Sequence, residues 1–351
     1  MHCHASTHAV VAGSDRCHAG GLRQQGTIAV ARDAPGIQHA GGHTSSAGGS
    51  HHDAGTAQHA ALNTARLLTM PTLRFSKMHG SGNDFVVLDC RQQPMALDPA
   101  QIRALGNRHT GVGFDQLISI EPAPDPTCAF AYGIWNTDGT RAGQCGNGVR
   151  CVAAWLHRAG ALALGATVNL ASPSGAVIVR LLGTHEVTVD MGAPIFAPAR
   201  IPFLADAMAP HYPIDVGGET LMIGAVSMGN PHAVLRVDDL ADPRLEALGP
   251  LLSAHPRFPQ HSNAGFVQVV DRGHVCLRVH ERGAGWTLAC GSGACAAVAV
   301  LQQRGDVDAN VQVDLPGGAL QIARSSAGRV WMTGPAAFVF EGEWPVPPPA
   351  R

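Results

Sequence analysis

Cys145-Gly-Asn-Gly-Val-Arg-Cys151 and Cys290-Gly-Ser-Gly-Ala-Cys295 are two copies of one pattern, and the chain around them repeats as well. Before the first lies Gly82-Asn-Asp-Phe-Val-Val-Leu88 and before the second Gly229-Asn-Pro-His-Ala-Val-Leu235, with the asparagines 62 and 60 residues ahead of their cysteines. After them come Pro173-Ser-Gly175 and Pro316-Gly-Gly318, 28 and 26 residues beyond, then Met191-Gly-Ala-Pro194 and Met332-Thr-Gly-Pro335. Four landmarks in one order at nearly one spacing define two homologous halves. In each half an Ala-rich apolar stretch, Val149 to Ala159 or Ala294 to Gln303, predicts one helix starting just after the cysteine. Short alternating segments such as Ala176 to Leu181 and Glu186 to Asp190 predict strands around it. The expected fold class is α/β, with two homologous domains related by pseudo-twofold symmetry.

The Pro-rich stretch from Pro194 to Pro213 marks the junction, giving halves over 70–200 and 201–345, with a return of the chain to the first half at its C-terminus left open. Residues 1–69 carry nine of the nineteen histidines and no sustained periodicity, and are expected to be disordered. Their histidines are irregularly spaced without paired cysteines, which disfavours metal binding. Arg16, Arg23, Arg32 and Arg66 outnumber Asp15, Asp33 and Asp53, so a transit segment is a further reading. The preferred one places the true start at Met70, where the patterned chain begins.

Composition narrows the function. The 351 residues are 45% apolar and 5% aromatic, with 42 glycines and 24 prolines, so the core is expected to be Ala, Val and Leu between many turns. Formal charge is −2 and no basic run is interleaved with aromatics, which argues against a nucleic-acid partner. No run approaches the roughly 18 apolar residues of a membrane helix, so a soluble cytoplasmic protein is expected. Nine cysteines are an odd number, and without a secretion signal they read as free thiols, with Cys90, Cys128 and Cys276 as small buried side chains.

A thiol at a helix N-terminus is poised to ionise, because unpaired N–H groups and the helix dipole favour negative charge there. Gly146, Gly148, Gly291 and Gly293 let the backbone turn its N–H groups toward a bound carboxylate. One such cysteine per half, facing its twin, suits stereoinversion: one thiolate removes a Cα proton and a thiol on the opposite face returns one. A pyridoxal imine would need a lysine, and Lys77 is the sole lysine of the chain. Asn136 and Glu281 each lie nine residues before their cysteine. Alone, Asn136-Thr-Asp-Gly139 is a turn and Glu281-Arg282 a solvated ion pair; the shared offset favours a functional reading. Cys151 and Cys295 are not in Cys-x-x-Cys spacing and read as core. His232 reads equally as a core histidine or an active-site acid, base or orienting group.

Lys77-Met-His-Gly-Ser-Gly-Asn-Asp-Phe85, Gly113-Phe-Asp-Gln116, Asn136-Thr-Asp-Gly139, the two cysteine segments, Gly229-Asn-Pro-His-Ala233 and Glu281-Arg-Gly-Ala-Gly-Trp-Thr-Leu-Ala-Cys290 together resemble the diaminopimelate epimerase family. The resemblance implies interconversion of LL- and meso-2,6-diaminopimelate, in lysine and peptidoglycan precursor synthesis, without metal or cofactor. It implies that Cys145 gives the proton and Cys290 takes it in the LL-to-meso direction, with His232 and Glu281 supporting the thiols. It further implies that the backbones of Gly146, Asn147, Gly291 and Ser292 hold the reacting carboxylate, while Asn83, Gln116, Asn136, Asn230, Asn263, Glu281 and Arg282 line the site. Each domain would be a β-barrel-like sheet around a central helix, and the enzyme a homodimer. Trp286, where the family often has Glu, and Ala264-Gly265 after Asn263 depart from the pattern. The alternatives are a proline or hydroxyproline racemase of the same fold, and a thiol-redox or metal-binding module using Cys145, Cys151, Cys290 and Cys295.

Overall fold

Phe85-Val-Val-Leu88 is buried at every position because both faces of its strand are covered. Phe85 and Val87 face the central core, whereas Val86 and Leu88 face a second cluster with Ile102, Leu105 and Phe114. The computed structural model describes residues 71–348. The expectations placed on 1–69 lie outside the described residues.

The first half runs β1 (Thr72–Gly80), β2 (Asn83–Asp89), α1 (Pro99–Gly106), β3 (Gln116–Pro122), β4 (Phe130–Asn136), α2 (Gly146–Arg158), β5 (Thr167–Ser172), β6 (Gly175–Leu181) and β7 (Glu186–Asp190). A short 3₁₀ turn, Pro198–Arg200, lies in the Pro-rich junction. The second half runs β8 (Tyr212–Val216), β9 (Glu219–Ser227), β10 (Pro231–Arg236), α3 (Arg244–Ser253), β11 (Asn263–Asp271), β12 (His274–Glu281), β13 (Gly285–Thr287), α4 (Gly291–Arg304), β14 (Asn310–Leu315), β15 (Gly318–Arg324) and β16 (Val330–Pro335), followed by β17 (Ala337–Pro345).

The repeat seen in sequence is a repeat of strand pairing. In the first half β1–β2 is antiparallel, β2–β3 parallel, β3–β4 antiparallel, β4–β5 parallel, and β5–β6 and β6–β7 antiparallel. Strands β9, β10, β11, β12, β14, β15 and β16 follow the same series of orientations. The halves join where β7 pairs antiparallel with β16, and β17 returns to pair with β1 while β8 pairs with β9. All seventeen strands therefore belong to one sheet.

Each half curls round its helix. Helix α2 packs against β1, β2, β3, β6 and β7, and α4 against β9 to β12, β15 and β16, so strands from both ends of each series touch one helix. A helix so enclosed must be largely apolar, and residues 293–301 of α4 are buried without a break. The small side chains Ala294, Ala296, Ala297 and Ala299 let the sheet close tightly on them. The outer faces carry α1 and α3. Helix α1 starts at a capping box, Asp98 accepting from the Gln101 N–H and the Gln101 side chain accepting from the Asp98 N–H, with Pro99 at its first position. Trp286, the departure noted above, packs outside, with Phe266, under the Arg278 guanidinium and against Gly249 of α3, away from the cysteines. Among the described residues no helix is long and apolar enough to cross a membrane.

One close contact ties the halves. Ser81 (φ 52°) and Gly82 (φ 84°) form the two-residue turn between β1 and β2, both in the left-handed region that such hairpins favour. This turn rests on the β14–β15 turn of the other half, where a Cβ on Gly317 would stand 2.0 Å from the Ser81 carbonyl oxygen. Gly317→Ala should therefore destabilise the protein by about 1–3 kcal/mol, read as a lower urea midpoint; an unchanged midpoint would show that the two turns separate freely.

Candidate active site

The predicted residues collect at one end of the sheet, at matching places in the two halves. Asn83 begins β2, Gln116 begins β3 and Asn136 ends β4; Asn230 immediately precedes β10, Asn263 begins β11 and Glu281 ends β12. Register pairs Gln116 with Asn136 and His232 with Asn263. Gln116 and Asn263 are thus equivalent, a match that the sequence also carries as an equal 33-residue offset from Asn83 and Asn230.

Cys145 and Cys290 are the N-caps of α2 and α4, each in extended backbone conformation. The two N-termini meet: the Asn147 side chain donates to the Ala289 carbonyl (3.2 Å), next to Cys290, and to Asn83 Oδ1 (3.3 Å). Met332 lies against both first-turn glycines, 2.7 Å from a Cβ placed on Gly146 and 2.9 Å from one on Gly291, so a side chain at either position would have to displace the methionine. Cys145 donates to Asn83 Oδ1 (3.5 Å) and its sulfur accepts from the Gly148 N–H (3.4 Å). Cys290 lies 3.6 Å from Ser292 Oγ. Both thiols are free, as are Cys90, Cys128, Cys151 and Cys295; Cys276, expected to be free, is not among them.

The second half supplies the remaining contacts. Asn230 Nδ2 donates to Ser292 Oγ (3.4 Å), and Asn230 Oδ1 lies 3.0 Å from His232 Nε2. The Asn263 side chain accepts from the Arg282 N–H (2.9 Å), and the Arg282 guanidinium donates to the Gln260 carbonyl while remaining exposed. In the first half Gln116 donates to Asn136 (3.2 Å), whose own amide donates to Thr140. Thr287 donates to Glu281 (2.6 Å).

Burial controls the titration of the group. It pushes the Cys145 thiol up to about 11, the Gly148 N–H opposing it and the Glu281 carboxylate adding to it. Burial and the same Glu281 raise Cys290 well above the ordinary thiol range. Glu281 is itself raised by burial, while hydrogen bonds from Thr287 and Cys290 hold it back. A carboxylate felt by both thiols and bonded to one of them is placed to take a thiol proton. Burial, with Arg282 nearby, lowers His232 to about 3, so its ring is neutral at neutral pH and its Nε2–H donates to Asn230 Oδ1.

Asp115 accepts from Asn83 Nδ2 (2.9 Å) and so turns Asn83 Oδ1 toward Cys145 and Asn147. Behind it, Arg108 bonds both Asp84 and Asp115 (2.7 Å each), and the buried Lys77 bonds Asp84 (2.6 Å) and the Gly113 carbonyl. The signal lay in Gly113-Phe-Asp-Gln116, where the carboxylate precedes the predicted glutamine.

Two N-capping thiols at meeting helix N-termini, with a carboxylate acting on both, are an arrangement suited to an isomerase. The sequence pattern of the diaminopimelate epimerase family matches residues 75–197 and 224–339, and the chain belongs to that family. It is 49% identical over 272 residues to the diaminopimelate epimerase of Ectopseudomonas mendocina (strain ymp), covering 77% of this chain and 98% of that one. It is 53% identical over 274 residues to that of Xanthomonas euvesicatoria pv. vesicatoria (strain 85-10), covering 78% and 96%. Among solved structures, a probable proline racemase from Agrobacterium radiobacter K84 with bound carbonate shares the fold at 15% identity and TM-score 0.58, covering 77% of this chain and 92% of that one. A hydroxyproline epimerase from Agrobacterium vitis does so at 16% and 0.57, covering 78% and 92%.

Asp115→Ala removes the acceptor that orients Asn83, and losing that charge-assisted hydrogen bond should lower kcat/KM about tenfold. Steady-state kinetics at wild-type kcat/KM would show that Asn83 keeps its orientation without Asp115.

Proposed function

We propose that this protein is a diaminopimelate epimerase that interconverts LL- and meso-2,6-diaminopimelate by proton transfer between Cys145 and Cys290. The observation that carries the reading is the meeting of the two cysteine-capped helix N-termini, with Glu281 acting on both thiols. Membership of the family and relatives of that name at about 50% identity support the substrate.

In the LL-to-meso direction Cys290 passes its proton to Glu281, and the thiolate removes the Cα proton. Cys145, whose thiol donates to Asn83 Oδ1, gives its proton to the opposite face. The first-turn N–H groups of Gly146, Asn147, Gly291 and Ser292, which have no acceptor within their helices, hold the carboxylate and stabilise charge spreading from Cα onto it. Asn230 and Ser292 keep the Cys290 side of the carboxylate in place, with His232 fixing Asn230. Gln116, Asn136, Asn263 and Arg282 read the distal amino-acid head. Proline offers no such head, which favours diaminopimelate over a proline-type substrate. The thiol-redox reading draws no support from the geometry, in which Cys151 and Cys295 are wholly buried packing residues. The functional halves are 70–200, to which the chain returns at its C-terminus, and 201–345; the enzyme works as a homodimer, as family members commonly do, and it acts in the cytoplasm.

Proton-for-deuteron exchange on LL-diaminopimelate in D₂O, followed by NMR, tests the reading. The wild type should place deuterium at Cα of meso product, and Cys145→Ala and Cys290→Ala should each abolish epimerisation; exchange with proline but not diaminopimelate would overturn the substrate. The pH profile tests Glu281. Its carboxyl must be ionised to take the thiol proton, so kcat/KM should fall as pH drops through a value above the ordinary 4.5. Glu281→Gln should cost about 10²–10³-fold at neutral pH and recover only as the thiol itself ionises in the alkaline range. Retention of the wild-type acid limb in that variant would remove Glu281 from the proton path.

A further inference from the structure

Arg150 is the largest wholly buried side chain described, at 0% exposure, and the proposed proton transfer does not use it. It projects from the second turn of α2, five residues after Cys145, and its polar contacts include no carboxylate. Nε donates to the Pro335 carbonyl (3.1 Å), and Nη1 approaches the Gly146 carbonyl (3.5 Å) and Met332 Sδ (3.7 Å). Nη2 is buried without a partner. Space is made for it by two glycines: a Cβ on Gly80 would stand 2.9 Å from Nη2, and one on Gly334 3.2 Å from Cζ.

An arginine buried without a counter-ion costs several kcal/mol, so a charge kept in this position calls for an anion that offsets it. The contacts place that anion. Gly146 is the first residue of α2, and Met332 is the side chain laid across Gly146 and Gly291. The guanidinium therefore sits directly behind the meeting point of the two N-termini. The repeat makes it one-sided, because the residue five after Cys290 is Cys295.

We propose that Arg150 is a positioning residue for the two-thiol site, its uncompensated guanidinium balancing the negative charge that forms at the joined helix N-termini, and doing so from the first half alone so that Cys145 is favoured over Cys290 as the thiolate. The groups facing Cys145 are Glu281 from β12, Tyr132 from β4, and Arg150 and Cys151 from its own helix. Of these Arg150 alone is cationic. Its charge acts against the burial that raises Cys145, whereas the charged side chain acting on Cys290 is Glu281, which raises it further. The two directions of an epimerisation are tied by one equilibrium constant, so the bias does not favour one product. It sets which proton-loaded form of the free enzyme is more populated.

The proposal rests on the two-thiol reading, and its test needs no substrate, so the two can fail separately. Iodoacetamide alkylation of the reduced protein is followed against pH, with Cys145 and Cys290 read separately by peptide mass. Wild-type Cys145 should be alkylated with a lower pH midpoint than Cys290. In Arg150→Met the Cys145 midpoint should rise by about one unit while that of Cys290 stays, and Arg150→Lys should restore most of the difference. With diaminopimelate, kcat/KM of Arg150→Met at neutral pH should fall about tenfold, equally in both directions, without a lower melting temperature, since an apolar side chain replaces a buried charge. An unmoved Cys145 midpoint in folded Arg150→Met, or equal shifts at both thiols with no rescue by lysine, would reduce Arg150 to a packing role. Should Arg150→Met not fold, Arg150→Gln keeps donors toward Pro335 and drops the charge. Should neither fold, the wild type decides alone, and a Cys290 midpoint at or below that of Cys145 overturns the proposal.

Discussion

Two helix N-termini brought together inside a protein repel, since each presents unpaired N–H groups and the positive end of a dipole. In this fold α2 and α4 are pointed at one another and held so, and the rest of the structure follows from that constraint. The contact between them is carried by a neutral amide, Asn147 donating to the Ala289 carbonyl, which adds no charge to either end. The thiols take part of the remaining demand: Cys145 already accepts from the Gly148 N–H. What is left is a shortage of negative charge, and a substrate carboxylate between the helices supplies it. Binding the carboxylate and stabilising the carbanion are then one electrostatic act, because the charge leaving Cα flows onto the group the N–H donors hold.

Holding the N-termini in place is the work of the sheet. Pairing of β7 with β16 fixes one half against the other, and β16 also carries Met332, whose side chain lies against both Gly146 and Gly291. The Ser81–Gly82 turn on Gly317 is a second clamp between the halves. These contacts use backbone and glycine, which pack at van der Waals distance and leave little rotamer freedom. The site is therefore set by rigid elements, and Arg108, Asp115, Arg282 and Leu288 at its margin are exposed.

Legibility of the sequence followed this division. Positions where the backbone must turn or approach closely are narrow in residue type, and for that reason Cys-Gly-x-Gly, Gly-Asn and Pro-x-Gly stand out and the two halves align on them. Helices α2 and α4 were readable because each carries a long Ala-rich apolar stretch. Helix α1, eight residues long, offers too little periodicity, although Asp98-Pro-Ala-Gln101 spells its capping box. The Gln116–Asn263 equivalence was carried by spacing and masked by residue type. The return of β17 to β1 has no local signal, since strand pairing at that separation is decided by tertiary packing.

Asp115 and Arg150 were hidden for a different reason: a repeat shows what the halves share, and these residues belong to one half. Stereoinversion at Cα is nearly symmetric, but the substrate is not, for one end of it reacts and the other does not. A site made of two identical halves would hold it in either orientation. The asymmetry is built in at three levels. Asn83 bonds the Cys145 thiol while Ser292 lies beside that of Cys290; Asp115 fixes the orientation of Asn83 where Ser262 stands at the equivalent position; and a buried cation lies behind one helix start. Each of these departs from the repeat while leaving the backbone repeat intact. The shared backbone therefore sets where the proton moves, and the unshared side chains set which thiol holds it at rest.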